Sequence, residues 1–350
     1  MKAIITKSSI FLILMNLVFI ACSKKEDFTE DEIQVITLEN GLTFRESSLR
    51  NQEVIFKLID DDGNEITEVT YFVDGEAIEG TTFQSPVEGT FEVYAEFLQD
   101  GETVASETKP LHVIIPKQKL VLEDYTGTWC GYCPAVTASL DQLEGLNLPL
   151  TVVAIHNGDE LTLPFETALR EGLNVPFGSP RARINRTITW GTPSPANFPV
   201  EEVSDLAGMD SSVGIAINSQ VQGNQLIVTV NVASENSIDN HKLVVYVTES
   251  SILSDQENYY NNDPNSPYFG LGEVMEGFSQ EHVWRASLTN ILGDEIPTTP
   301  ALTEYIENFA FEIPQDFVVE NLDLVVMVVN QDNTAINSQH AAVNENKPYE

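Results

Sequence analysis

The chain has 350 residues, with 17 basic against 54 acidic side chains and a formal charge of −37. That balance argues against nucleic acid and anionic membrane surfaces as partners, because both would repel it. The length allows two or three domains with cores of their own, and only three cysteines are present, Cys22, Cys130 and Cys133.

Residues 1–21 carry Lys2 and Lys7, an apolar run from Ile10 to Ile20, and the small Ala21 directly before Cys22. The run is too short to span a bilayer as a mature helix, so it reads as a secretory signal. A cysteine after a small residue at this point resembles a lipobox, although Phe19 stands where leucine is usual. The resemblance implies an outer-membrane lipoprotein whose acylated Cys22 enters the lipid, and several acyl chains on one residue make a stable anchor. The plainer alternative is an ordinary signal peptide with an incidental cysteine. Residues 22–32 read as an acidic tether. Its Lys25-Glu26-Asp27 step resembles a lipoprotein surface-export signal, which leaves the periplasmic face and the cell surface both open.

Residues 33–115 read as a small β-sandwich. Val54, Phe56 and Leu58 alternate, as do Val69, Tyr71 and Val73, and Phe91, Val93, Ala95 and Phe97. Asp62-Gly63, Asp74-Gly75 and Asp100-Gly101 signal turns. Short strands at this spacing, with no helical stretch, predict an immunoglobulin-like module. Asp60, Asp62 and Asn64 imitate a calcium loop, but the glycine comes two positions early and the distal glutamate is missing, so a hairpin turn is expected.

Residues 116–210 hold the stretch on which the rest depends, Thr128-Trp129-Cys130-Gly131-Tyr132-Cys133-Pro134. Before it, Leu120, Leu122 and Asp124 alternate as in a strand; after it, Val136, Leu140 and Leu143 fall on one face of a helix. Cys130 is therefore expected at or just before a helix N-terminus, where the backbone stabilises a thiolate, the nucleophile of disulfide exchange. Leu150 to Ile155 reads as a buried parallel strand ending at His156. Phe165, Leu169 and Leu173 predict a second helix, Ala182 to Asn185 and the stretch to Trp190 a strand pair, and Val200, Val203 and Leu206 a closing helix. The order is β-α-β-α-β-β-α, and a right-handed crossover puts the Cys130 turn and His156 on one sheet edge. If Cys22 is acylated, Cys130 and Cys133 are each other's only partners within the chain. A loop this short is a poor staple, so a merely structural pair is the less natural reading. A zinc site would need more ligands: His156 could supply one with Asp159 nearby, but no second cysteine or histidine pair is present. No metal and no cofactor are expected.

The segment Val121 to Cys133, with Asp124 six positions before the first cysteine, resembles the active-site segment of the thioredoxin superfamily. The resemblance implies that Asp124 is buried beneath Cys133 and helps deprotonate it. Gly178-Ser179-Pro180-Arg181 resembles the turn carrying that fold's cis-proline, which makes Pro180 the residue beside the disulfide, with Ser179 where many relatives have threonine. Gly131-Tyr132 is found in some disulfide isomerases and also in reductases, which leaves the direction of electron flow open. Together with Asn185-Arg186 and His282-Val283-Trp284-Arg285, these motifs look like the twenty-eight-kilodalton outer-membrane-protein (Omp) family of bacterial lipoproteins, over roughly residues 117–345.

Residues 211–350 return to strands: Leu226, Val228 and Val230 alternate, and Leu243 to Val247 and Leu324 to Val329 are apolar runs. A second β-sandwich is expected. Its long loop, Asn258 to Gly272, holds Tyr259, Tyr260, Tyr268 and Phe269, with packing on its own sheet expected ahead of binding to a partner or glycan. The whole chain thus reads as multidomain, a thioredoxin-like α/β core between two β-sandwiches. Cys130, exposed at the helix end, would attack protein disulfides and Cys133, one turn inward, would resolve them; Trp129, Tyr132 and Ser179 would line the substrate groove. The alternative is a non-catalytic binding or assembly scaffold with a structural Cys130–Cys133 bond.

Overall fold

The computed structural model describes residues 41–99 and 101–350. The signal segment, Cys22, the tether and residues 33–40 lie outside the described residues, as does Asp100 of the third turn.

The chain is mostly β, arranged in several sheets. In the N-terminal part, one sheet runs Ser47–Leu49, Lys109–Ile114, Gly89–Gln99, Val69–Val73, Glu76–Ala77, with Glu102–Ala105 paired to Gly89–Gln99. Two short ladders accompany it, Gly41–Thr43 with Lys57–Ile59 and Val54–Ile55 with Thr82–Phe83. The alternation read from sequence fills the core between them: Val54, Phe56, Leu58, Tyr71, Val73, Val93 and Ala95 are buried. Asp74 and Gly75 both take positive φ between Val73 and Glu76, a two-residue turn that suits the twist of a hairpin. The Asp60 carboxylate accepts the backbone N–H groups of Asp62 and Asn64, so this stretch is a turn closed by its own aspartate. Arg50 pairs through two nitrogens with Glu235 and Arg45 with Glu304, and Leu49 packs with Ala233 and Tyr349. These contacts seat the N-terminal part on the C-terminal one.

From residue 120 the elements are β1 (Leu120–Thr126), α1 (Pro134–Gly145), β2 (Leu150–His156), α2 (Glu166–Gly172), β3 (Arg181–Ile184), β4 (Ile188–Trp190) and α3 (Glu201–Ser204). Then come β5 (Val213–Gln222), β6 (Gln225–Ser234), β7 (Lys242–Glu249), β8 (Ile252–Glu257), β9 (Val274–Gln280), β10 (Val283–Ser287), β11 (Tyr305–Glu312), β12 (Leu322–Val329) and β13 (Ala335–Ala342). β1 and β2 are parallel, and β3 and β4 add antiparallel, giving the order β4-β3-β1-β2. One face of β1 and β2 packs on α1 and the Val203 turn through Leu120, Leu122, Val136, Leu143 and Val152; the other packs on Leu169 and Leu173 through Val121, Tyr125, Val153 and Ile155. The closing helix is shorter than the spacing of Val200, Val203 and Leu206 predicts, since only Glu201–Ser204 is helical.

The expected boundary at 210/211 does not interrupt the large sheet. β2 pairs with β10 at Ala154 and Val283, and the sheet continues β10-β7-β12-β13 into the C-terminal part. The second sheet, β11-β6-β5 with Asn346–Lys347, faces it, so a C-terminal sandwich exists but shares one sheet with the preceding unit. The apolar runs in β7 and β12 explain the sharing. Their odd and even residues enter different cores: Leu243, Val245, Val247, Val326 and Val328 meet the facing sheet, while Val244, Tyr246, Val325 and Met327 meet the core beside α2. A strand covered on both faces reads as a continuous apolar run.

Candidate functional site

β1 ends at Thr126, and the chain turns through Gly127–Cys133 into α1. Cys130 and Cys133 are joined by a disulfide. The turn is held from within by Cys130 N–H to Gly127 O and Cys133 N–H to Cys130 O. Cys133, not Cys130, stands at the start of the helix, with Pro134 following. Cys130 sits three residues earlier and is 4 % exposed, so the expectation of an exposed first cysteine is corrected. The exposed residues are its neighbours, Trp129 at 46 % and Tyr132 at 50 %.

Beneath the turn, Asp124 projects from β1 on the α1 side, buried, and lines a cavity of about 40 Å³ together with Cys133, Thr126, Thr137 and Gln256. One of its carboxyl oxygens, Oδ1, has no hydrogen-bond partner among the described residues. Burial pushes this carboxyl up to about 8, against the opposing pull of the Arg170 guanidinium. The peptide between Ser179 and Pro180 is cis, and Pro180 is buried. Arg181 pairs with Tyr125 in register, which puts Pro180 beside the end of β1 where the chain leaves for the cysteine turn.

The β2 end is tied to this turn. His156 pairs in register with Thr126, and its Nδ1 lies 2.8 Å from Asp159 Oδ2, which also accepts the Thr128 N–H at 2.9 Å. Burial would raise the Asp159 carboxyl, but His156 and these N–H donors hold it below the usual carboxylate range. His156 and Asp159 thus serve one another and the turn. Among the described residues no cluster of three His, Cys, Asp or Glu side chains is placed to hold a metal ion. The Trp129 indole N–H donates to Asn157 O at 2.6 Å.

Several residues at the site were not read from the sequence. Arg170 forms a buried ion pair with Glu166, lies 4.8 Å over the Tyr125 ring, and donates to Pro176 O at 3.1 Å, Gly178 O at 3.3 Å and Ser179 Oγ at 3.5 Å. It fixes the loop that delivers Pro180. The i, i+4 spacing of Glu166 and Arg170 was the available signal. On the same α2 side of β1, Arg186, whose place in the Asn185-Arg186 motif gave no pairing, joins Glu123 at 3.1 Å, fully buried, and reaches the Tyr246 hydroxyl.

The aromatic loop also departs from expectation. Tyr268 packs on Phe278 of its own hairpin, but Tyr259 and Tyr260 pack on Tyr132, at 5.0 Å and 6.0 Å between ring centroids. The Glu257 N–H donates to Thr128 O and the Tyr259 N–H to Gly131 O, both at 2.9 Å. The buried Gln256 amide donates to Cys130 O at 3.1 Å. Residues more than a hundred positions downstream thus cover the disulfide. No local periodicity in either segment carries that information.

No curated protein matches the chain. The structure of HBP35 of Porphyromonas gingivalis is similar with a TM-score of 0.50 at 17% identity, over 66% of this chain and 77% of that one, a likeness of fold. A domain of the outer membrane lipoprotein Omp28 from Porphyromonas gingivalis is matched at 18% identity and a TM-score of 0.25, over 44% of this chain and 96% of that one. The sequence model described as Outer membrane protein Omp28 matches residues 168–347, which contain Ser179, Pro180 and the C-terminal sheets; Asp124, Cys130 and Cys133 precede the matched stretch. That match spans just over half of the chain, and the protein therefore belongs to the outer membrane protein Omp28 family.

Proposed function

We propose that this outer-membrane protein carries out thiol–disulfide exchange on exported proteins through a thioredoxin-like core. The observation that carries the reading is Asp124, a buried carboxyl with an unpartnered oxygen in the same small cavity as Cys133. Such a group costs stability and serves no packing purpose, but it suits a proton acceptor for a resolving thiol. In the reduced protein, the Cys130 thiolate attacks a substrate disulfide; the substrate S–S bond breaks, a mixed disulfide forms, and one substrate thiolate leaves. Cys133 gives its proton to the ionised form of Asp124, which becomes populated as pH approaches about 8, and attacks the Cys130 sulfur, closing the pair and releasing the second substrate thiolate. The same steps in reverse would oxidise a dithiol. Pro180 borders the approach, and Trp129, Tyr132 and Ser179 flank it. Acylated Cys22 would anchor the chain, and residues 22–32 with an immunoglobulin-like spacer would hold the core off the membrane, on the periplasmic face or the cell surface.

A second reading, a non-catalytic assembly scaffold, is favoured by one observation, the 4 % exposure of Cys130. The two separate in an exchange assay on the lipid-free chain from Ser23, with a peptide disulfide as substrate in a glutathione buffer. Exchange above the buffer rate that Cys130→Ser abolishes supports the first reading; a rate equal to buffer alone leaves the scaffold.

A further inference from the structure

The cover over the disulfide is built from side chains and backbone with different consequences. Glu257 and Tyr259 donate to Thr128 O and Gly131 O from alternate positions, so the strand leaving β8 lies extended across the turn. The Tyr259 ring then sits directly on Gly131: a Cβ placed there would stand 2.3 Å from its Cδ1. Only glycine leaves room for the ring. Tyr259 is nevertheless 61 % exposed, so its ring is a roof with one face in water rather than a core residue. Tyr132, edge-on to it, closes one flank.

We propose that Tyr259 is the specificity-determining residue of the disulfide site, admitting slender thiols and extended segments to Cys130 while refusing the surface of a folded protein. The inference deepens the exchange reading and rests on it for its biological meaning. Attack on a disulfide requires the nucleophile to approach the sulfur in line, and access therefore sets the rate. A thiolate on a thin chain passes beside the ring. A cysteine on a folded surface brings neighbouring atoms that collide with Tyr259, Tyr132 and Trp129 first.

The test uses two dithiol reductants of different bulk, dithiothreitol and reduced thioredoxin, on the oxidised full-length protein. In each, one thiolate attacks Cys130, Cys133 leaves as a thiolate and is protonated, and the second reductant thiol releases Cys130 while forming the reductant's own disulfide. Tyr259→Ala is expected to raise the thioredoxin rate on the order of tenfold, the scale of one lost aromatic contact, with a much smaller change for dithiothreitol. Tyr259→Phe keeps the ring and should follow the unmodified protein. Gly131→Ala, in which the ring must move aside, should follow Tyr259→Ala. Equal acceleration of both reductants means general loosening and overturns the proposal, as does unchanged discrimination in Tyr259→Ala. Neither rate needs catalytic turnover, so failure of the roof and failure of the exchange reading are separate results.

Discussion

Replacing Asp124 by asparagine should stabilise the oxidised protein at neutral pH, and the size of the effect follows from the buried carboxyl. In the unfolded chain it ionises near its ordinary value of 3.8, and in the folded protein only at about 8. A carboxyl raised in this way favours the folded state fully below the unfolded value. That advantage drains away as pH rises and is gone by the folded value. At pH 7 the lag is about three pH units, and at roughly 1.4 kcal/mol per unit the cost approaches about 4 kcal/mol. The burial of asparagine's own amide will reduce the net gain below this ceiling. All three tryptophans, Trp129, Trp190 and Trp284, lie in the part built on the large sheet, so their emission in urea titrations follows that part. The Asp124→Asn advantage should be near zero at pH 4, grow to about pH 8 and then level off. A difference independent of pH, or one that shrinks as pH rises, would refute the argument that Asp124 is a neutral buried acid at neutral pH.

Other expectations follow from neighbouring contacts. Arg170→Met leaves Glu166 buried without its partner and should cost about 3–5 kcal/mol in urea unfolding; it should also move the Asp124 titration higher, since Arg170 now holds it down. Arg186→Met should cost a similar amount by leaving Glu123 unpaired, and the double change Glu123→Gln with Arg186→Met should recover part of it. Gly191 has φ +60° and a Cβ there would stand 2.2 Å from Asn197 O, so Gly191→Ala should lower stability by about 1–3 kcal/mol in the same titration.

Much of this arrangement was legible in the chain because it is local. The alternation of Val54, Phe56 and Leu58, and the helical spacing of Val136, Leu140 and Leu143, each record which face of an element is covered. The cysteine turn, Asp124 and the cis peptide before Pro180 were found through short motifs. What could not be read was how covered faces are shared. The runs in β7 and β12 announce burial on both sides but not that one side belongs to the core beside α2, in a sheet that takes strands from both sides of 210/211. Glu123 and Arg186 lie 63 positions apart, and Gln256 and Cys130 126 positions apart; partners so distant leave no periodic trace. The cover by Tyr259 is of this kind, and it reversed the expectation of an exposed Cys130.

Whether Cys130 attacks and Cys133 resolves is decided by incubating the reduced, lipid-free Cys133→Ser protein from Ser23 with a peptide disulfide and identifying the adduct by mass spectrometry. A persistent mixed disulfide on Cys130 is expected, released in the unmodified protein faster than in Asp124→Asn, with the gap small at about pH 6 and opening as pH rises toward about 8, where the Asp124 carboxyl ionises and can accept the Cys133 proton. No adduct on Cys130, in a protein whose tryptophan emission shows it folded, would contradict exchange at this site and leave the disulfide a fixed part of an outer-membrane scaffold.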